Sequence, residues 1–120
     1  MKNVILIKHS KNWGLNEKEV VEKAKEALRY FNLNENVELS VVFVGRKKAK
    51  ELNIKYRQQN YTPQVLGFPM SKDRDGDGYR RLGDVVICNA KLKYEVDFLD
   101  KRRSEILSQW LIHGVENLLK

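Results

Sequence analysis

The stretch "QWLIHGVENLLK" sets a histidine in an apolar helical pattern, the setting in which many metal sites begin. Ligands at i and i+4 share one helix face and can grip one ion between them. The residue four on from His113 is Asn117, a weak neutral oxygen donor suited to harder ions than zinc. A second candidate is "DRDGDGYRRLGD". Asp73, Asp75 and Asp77 stand at positions one, three and five of a calcium loop, with Gly78 at six and Asp84 at twelve. Three features argue against calcium: Arg80 replaces the apolar residue at position eight, Asp replaces the bidentate Glu at twelve, and strand patterns flank the loop. The alternative is a solvated connection between two strands. Cys88 is the only cysteine, so an intramolecular disulfide is impossible, and its apolar run "DVVICNA" predicts a buried structural thiol.

These residues must be positioned by the elements around them. "NVILIKH" predicts a short apolar strand. "LNEKEVVEKAKEALRYF" predicts a helix capped by Asn16, with Val20, Val21, Ala24, Ala27, Leu28 and Phe31 on one face. "NVELSVVFVG" alternates and then turns apolar, as a strand entering a core does. "RKKAKELNIKYRQQ" predicts a basic helix with Ala49, Leu52 and Tyr56 near one stripe. "QVLGFPM" and "LGDVVICNA" predict two more strands. "DKRRSEILSQWLIHGVENLL" predicts a final helix, with Ile106, Leu107, Trp110, Leu111, Gly114 and Leu118 inward. The order strand, helix, strand, helix, two strands, helix implies an α+β fold, a small mixed four-stranded sheet covered by helices.

The 120 residues fit one domain, 1–120. No apolar run approaches the length of a membrane span, and "MKNVILIKHS" lacks a signal-peptide cleavage site, which predicts a cytoplasmic protein with no membrane partner. The net charge of +7 is unevenly placed: residues 1–40 carry a net of +1 and residues 41–120 a net of +6, in "GRKKAK", "YRQQ", "GYRR" and "DKRRSE". Such a field attracts polyanions, although a solvated basic surface has the same composition.

"ELNIKYR", "TPQVLGFP", "LGDVVIC" and "LIHG" together resemble the YbeY family of bacterial rRNA maturation factors, in order and approximate spacing over residues 38–120. The resemblance implies a zincin-like fold and a single-strand-specific, metal-dependent endoribonuclease acting on ribosomal RNA, with ribosomal proteins as further partners. It implies a zinc held by three histidines of a terminal His-Gly-x-x-His-Leu-x-Gly-Tyr-Asp-His motif, and a functional arginine. That arginine matches Arg57, and the first histidine matches His113. The second histidine position holds Asn117, and the third would fall after Lys120. Gln59, Asn60, Gln64 and Gly67 stand where the family often has Lys, Asp, Asp and Ser. The expectation is a degenerate metal centre, with zinc weak or absent and His113 its remaining ligand, unless Asp84 or His9 lies nearby.

Two functional readings follow: a ribonuclease using Arg57 and His113, or a non-catalytic RNA- or ribosome-binding module that has lost the metal-dependent activity. Without metal, attack by a ribose 2′-hydroxyl could use His113 as acid–base and Arg57 to stabilise phosphate charge. Arg57, Arg46, Lys47 and Lys55 are the candidate RNA contacts, and Tyr56, Tyr61 and Tyr79 could stack bases. The plainer alternatives are a half-buried His113 beside Trp110 and Ile106, a solvated Arg57, and an Asp84 that accepts local backbone hydrogens.

Overall fold

The computed structural model describes residues 2–33, 35–70 and 76–120. Strand β1 (Asn3–Lys8) is followed by a 3-10 turn (Lys11–Trp13), helix α1 (Glu17–Tyr30), strand β2 (Val37–Val44) and helix α2 (Arg46–Arg57). Strands β3 (Val65–Pro69) and β4 (Arg80–Cys88) precede helices α3 (Asn89–Phe98) and α4 (Arg103–Leu118). The sheet order is β1-β2-β4-β3. The first three strands are parallel and β3 runs antiparallel to β4, so the sheet is mixed, as expected.

Alternation in β2 divides the molecule into two faces. Val37, Leu39, Val41 and Phe43 are buried, and the residues between them are half-buried. Helices α1 and α4 pack on the fully buried face, where Val20, Leu28, Leu107 and Leu111 join the β2 side chains in one core. Each fully buried leucine stabilises that core by about 1.5 to 3 kcal/mol. The Asn16 side chain accepts the Glu19 backbone N–H at 3.1 Å, the cap expected at the start of α1. Gly114 lets α4 lie directly on the central strand, since a Cβ there would sit 2.5 Å from Val85 Cγ1.

The sequence reading differs from the structure at three places. It extends β4 into Ala90, whereas the strand ends at Cys88 and α3 begins at Asn89. It misses α3 altogether. That helix buries only Leu92 and Glu95 and leaves Tyr94 and Phe98 exposed, so its apolar residues trace no stripe. Of the α2 stripe Ala49, Leu52 and Tyr56, only Ala49 is buried, Leu52 is half-buried and Tyr56 is exposed, while the other buried residue of α2 is Asn53.

At the end of β1, His9 Nε2 lies 2.7 Å from Glu17 Oε2, and Nδ1 lies 2.8 Å from the Ser10 carbonyl oxygen. Two acceptors on one ring favour its cation, and the Glu17 hydrogen bond chiefly raises the His9 pKa above the usual 6.5. The contact therefore contributes fully below the unfolded value and fades as pH rises through the raised one. The thermal midpoint of the wild type should exceed that of His9→Gln at about pH 6, with the gap closing toward about pH 8.

Candidate functional site

The site starts where α2 stops. Gln58 takes the left-handed conformation (φ 55°), its N–H reaches Ile54 O, and the Gln59 N–H reaches Asn53 O, closing the helix just after Arg57. Asn53 is fully buried, and its Nδ2 donates to the Tyr61 carbonyl at 3.0 Å, which ties the following loop back against the helix. Its Oδ1 has no hydrogen-bond partner among the described residues.

This loop forms one wall of an open cleft of about 610 Å³. Arg57, Tyr61 and Gln64 line it from α2 and the following loop, Lys91 from α3, and Gln109, Trp110 and His113 from α4. Arg57 and His113 therefore meet in one cleft, with Lys91 as a second fixed positive charge and no carboxylate lining it among the described residues. Nearby Glu95 is buried. It accepts from Gln64 Nε2 at 3.0 Å and from Lys101 Nζ at 2.6 Å, so its charge is offset by an adjacent cation. His113 is exposed rather than half-buried, and it shares the cleft wall with the buried Trp110 one turn earlier.

The other candidate residues lie elsewhere. Arg46 and Lys47 begin α2, on the order of 15 Å along the helix from Arg57 at 1.5 Å per residue. Lys55 packs over the Tyr56 ring, 5.2 Å from its centroid. Of the three tyrosines singled out, only Tyr61 lines the cleft. Asp84 sits within β4 and faces a different groove, and among the described residues no backbone N–H bonds to its carboxylate. Lys91 was missed because its helix was missed. The run "NAKLKYEVDF" carries two lysines two residues apart, but nothing in that spacing marks one of them for the cleft.

Among the described residues, the donors around His113 do not make up the three protein ligands of a catalytic zinc with its open position. One turn past His113 stands the half-buried Asn117, against which β3 packs closely: a Cβ on Gly67 would lie 3.0 Å from Asn117 Cβ and 3.0 Å from the Gly114 carbonyl oxygen. Among the described residues, no three His, Cys, Asp or Glu side chains converge as a metal group. Asp84 points to the other side of the sheet from Val85 and α4, and His9 is held at the end of β1, so neither joins His113.

Of the acidic loop, Asp73 and Asp75 lie outside the described residues. Asp77 is bound through both oxygens to Arg81, at 3.3 and 2.9 Å, and accepts the Tyr79 N–H at 3.0 Å. The Arg81 hydrogen bond above all holds its pKa down to about 2. Among the described residues no helix is long and apolar enough to cross a membrane.

Comparison with known proteins gives one consistent result. A family model described as Endoribonuclease YbeY matches residues 6–119. The protein called Endoribonuclease YbeY from Aquifex aeolicus is 36% identical over 119 residues, covering 98% of this chain and 76% of that protein. Its counterpart from Persephonella marina is 29% identical over 119 residues, covering 99% of this chain and 77% of that protein. A solution structure from Thermotoga maritima superposes with a TM-score of 0.57 at 22% identity, covering 99% of this chain and 73% of that one, and shares the fold.

Proposed function

The chain belongs to the YbeY endoribonuclease family, and on that premise we propose that it binds single-stranded ribosomal RNA during rRNA maturation, as one domain over residues 1–120, through the cleft between α2, β3 and α4. The observation that carries this reading is the meeting of Arg57, Lys91 and His113 in a cleft that no carboxylate of the described residues lines. The Arg57 guanidinium offers a planar fork to phosphate oxygens, and Lys91 adds a point charge to the cleft lining. Tyr61, 48% exposed, offers a ring for an unpaired base. Duplex RNA buries its base faces, so an open cleft with an exposed ring favours single strands.

The metal centre is degenerate in this reading, because His113 has Asn117 rather than a second imidazole one turn on, and two cations share the cleft. The retained function is binding. A second reading, slow metal-free cleavage, has one observation in its favour: the exposed His113 imidazole shares the cleft with Arg57, so an acid–base group and a phosphate-stabilising group sit together.

Purified protein should hold zinc well below one equivalent by elemental analysis, and EDTA should leave its thermal midpoint nearly unchanged, since an intact structural or catalytic ion would add folding free energy that chelation removes. Stoichiometric zinc with a large EDTA-induced loss of stability would rule out a degenerate centre. Cleavage of single-stranded RNA that persists in EDTA and vanishes in His113→Ala, with affinity kept, selects the second reading. No cleavage with or without EDTA selects binding alone.

A further inference from the structure

Across the last turn of α2 from the cleft lies a second groove, of about 450 Å³, on the sheet face away from α4. Tyr56 and Arg57 are neighbours in that turn, and they line the groove and the cleft respectively. Val42 and Val86 form the floor, Tyr56 and Phe68 meet edge to face at 5.2 Å between centroids, and Lys8 and Lys48 are exposed at the rim. Asp84 lies between these groups, directly opposite Phe68 in the β3–β4 ladder. It is half-buried, and its carboxylate has no hydrogen-bond or ion-pair partner among the described residues, not even Lys8 or Lys48. Water reaches this half-buried carboxylate from the open side of the groove, and a ligand with two adjacent donors would replace that water.

We propose that this groove is a guanine-specific subsite for a base of the same RNA strand that crosses Arg57, with Asp84 as its reading residue. The proposal rests on the RNA reading above. Guanine alone offers two adjacent donors, N1–H and the N2 amino group, on its Watson–Crick edge, and these match the two oxygens of one carboxylate. Adenine and cytosine each set an acceptor nitrogen beside their amino group, and uracil sets carbonyls on both sides of N3–H, so each turns a lone pair toward the second oxygen. The flat ring fits between the aromatic pair and the valine floor, while Lys8 and Lys48 face the phosphates. A guanidinium from a basic protein segment also matches a carboxylate, but it would approach past two lysines. The local charge favours a polyanion.

The test is fluorescence anisotropy with a short labelled oligouridine, the same strand carrying one guanosine, and the same strand carrying inosine, which lacks the N2 amino group. The wild type should bind the guanosine strand about tenfold more tightly than oligouridine, and inosine should lose most of that gain. Asp84→Asn, nearly the same shape, should bring the guanosine strand down to the affinity of oligouridine. Equal affinities in the wild type, or a guanosine preference that survives Asp84→Asn, overturn the proposal. So does free guanosine monophosphate competing as well as the guanosine strand, or an arginine-rich peptide whose binding Asp84→Asn abolishes in the absence of any guanosine preference. Arg57-dependent binding without preference removes the subsite alone. Absence of all RNA binding removes the cleft reading with it.

Discussion

Replacing Arg57 and Lys91 together by alanine should lower the affinity for single-stranded RNA by roughly thirtyfold to a hundredfold, or about 2 to 3 kcal/mol. Both line the cleft, and among the described residues no carboxylate lines it to offset their removal. Each lost cation also forfeits the counterions that its phosphate would release, so the double variant should show a shallower salt dependence than the wild type. Arg57→Lys keeps the charge and loses only the fork, at a cost on the order of 1 kcal/mol if the contact is bidentate. Stability should hardly change, because Arg57 is exposed and neither Arg57 nor Lys91 forms an ion pair among the described residues. Anisotropy titration paired with a thermal melt separates the two effects. A double variant that binds like the wild type would move the RNA off this cleft.

The largest effect on stability should come from Gly83→Ala, on the order of 3 to 5 kcal/mol. Gly83 has φ 132°, a region closed to L side chains, at the point where β4 skips a residue in its pairing with β2. A Cβ there would collide with the Phe68 carbonyl oxygen and lie 2.9 Å from Pro69 Cα, so it meets the backbone of β3 rather than a side chain that could swing away. Relief would require β3 to leave the sheet, and β3 carries the Val65 wall of the cleft and the Phe68 wall of the groove. Urea unfolding measures the loss, which is a large share of the about 5 to 15 kcal/mol typical of a domain. A change below about 1 kcal/mol would contradict the close β3–β4 approach.

Gly83 shows why part of this protein is legible without coordinates. "LGD" is a recognisable motif because a backbone constraint admits only glycine there. The inward face of α4 is legible for a different reason: a long helix packed against a sheet must repeat its apolar residues, and Ile106, Leu107, Trp110, Leu111, Gly114 and Leu118 are all buried. α3 lacks that signal. Its buried face includes Glu95, whose apolar environment is made tolerable by Lys101 and Gln64, partners distant enough in sequence that no periodicity reports them. Asn53 is similar, since a fully buried amide reads as a surface residue until the Tyr61 carbonyl it holds is seen. Arg57 and His113 were each visible as matches to a motif, but their meeting in one cleft is a property of the packing of β3 against α4. The separation of Asp84 from His113 onto opposite sides of the sheet likewise follows from strand alternation, once the register places Val85 against Gly114.

The most direct measurement is the salt dependence of binding to one labelled RNA, compared as a single strand and as its duplex, between about 50 and 200 mM salt. The single strand should bind more tightly throughout. Its affinity should fall with a logarithmic slope of at least about 1.4 if Arg57 and Lys91 each neutralise one phosphate, at about 0.7 per contact on single strands. Binding that ignores salt, that is equal for strand and duplex, or that does not occur would contradict a basic cleft made for unpaired RNA.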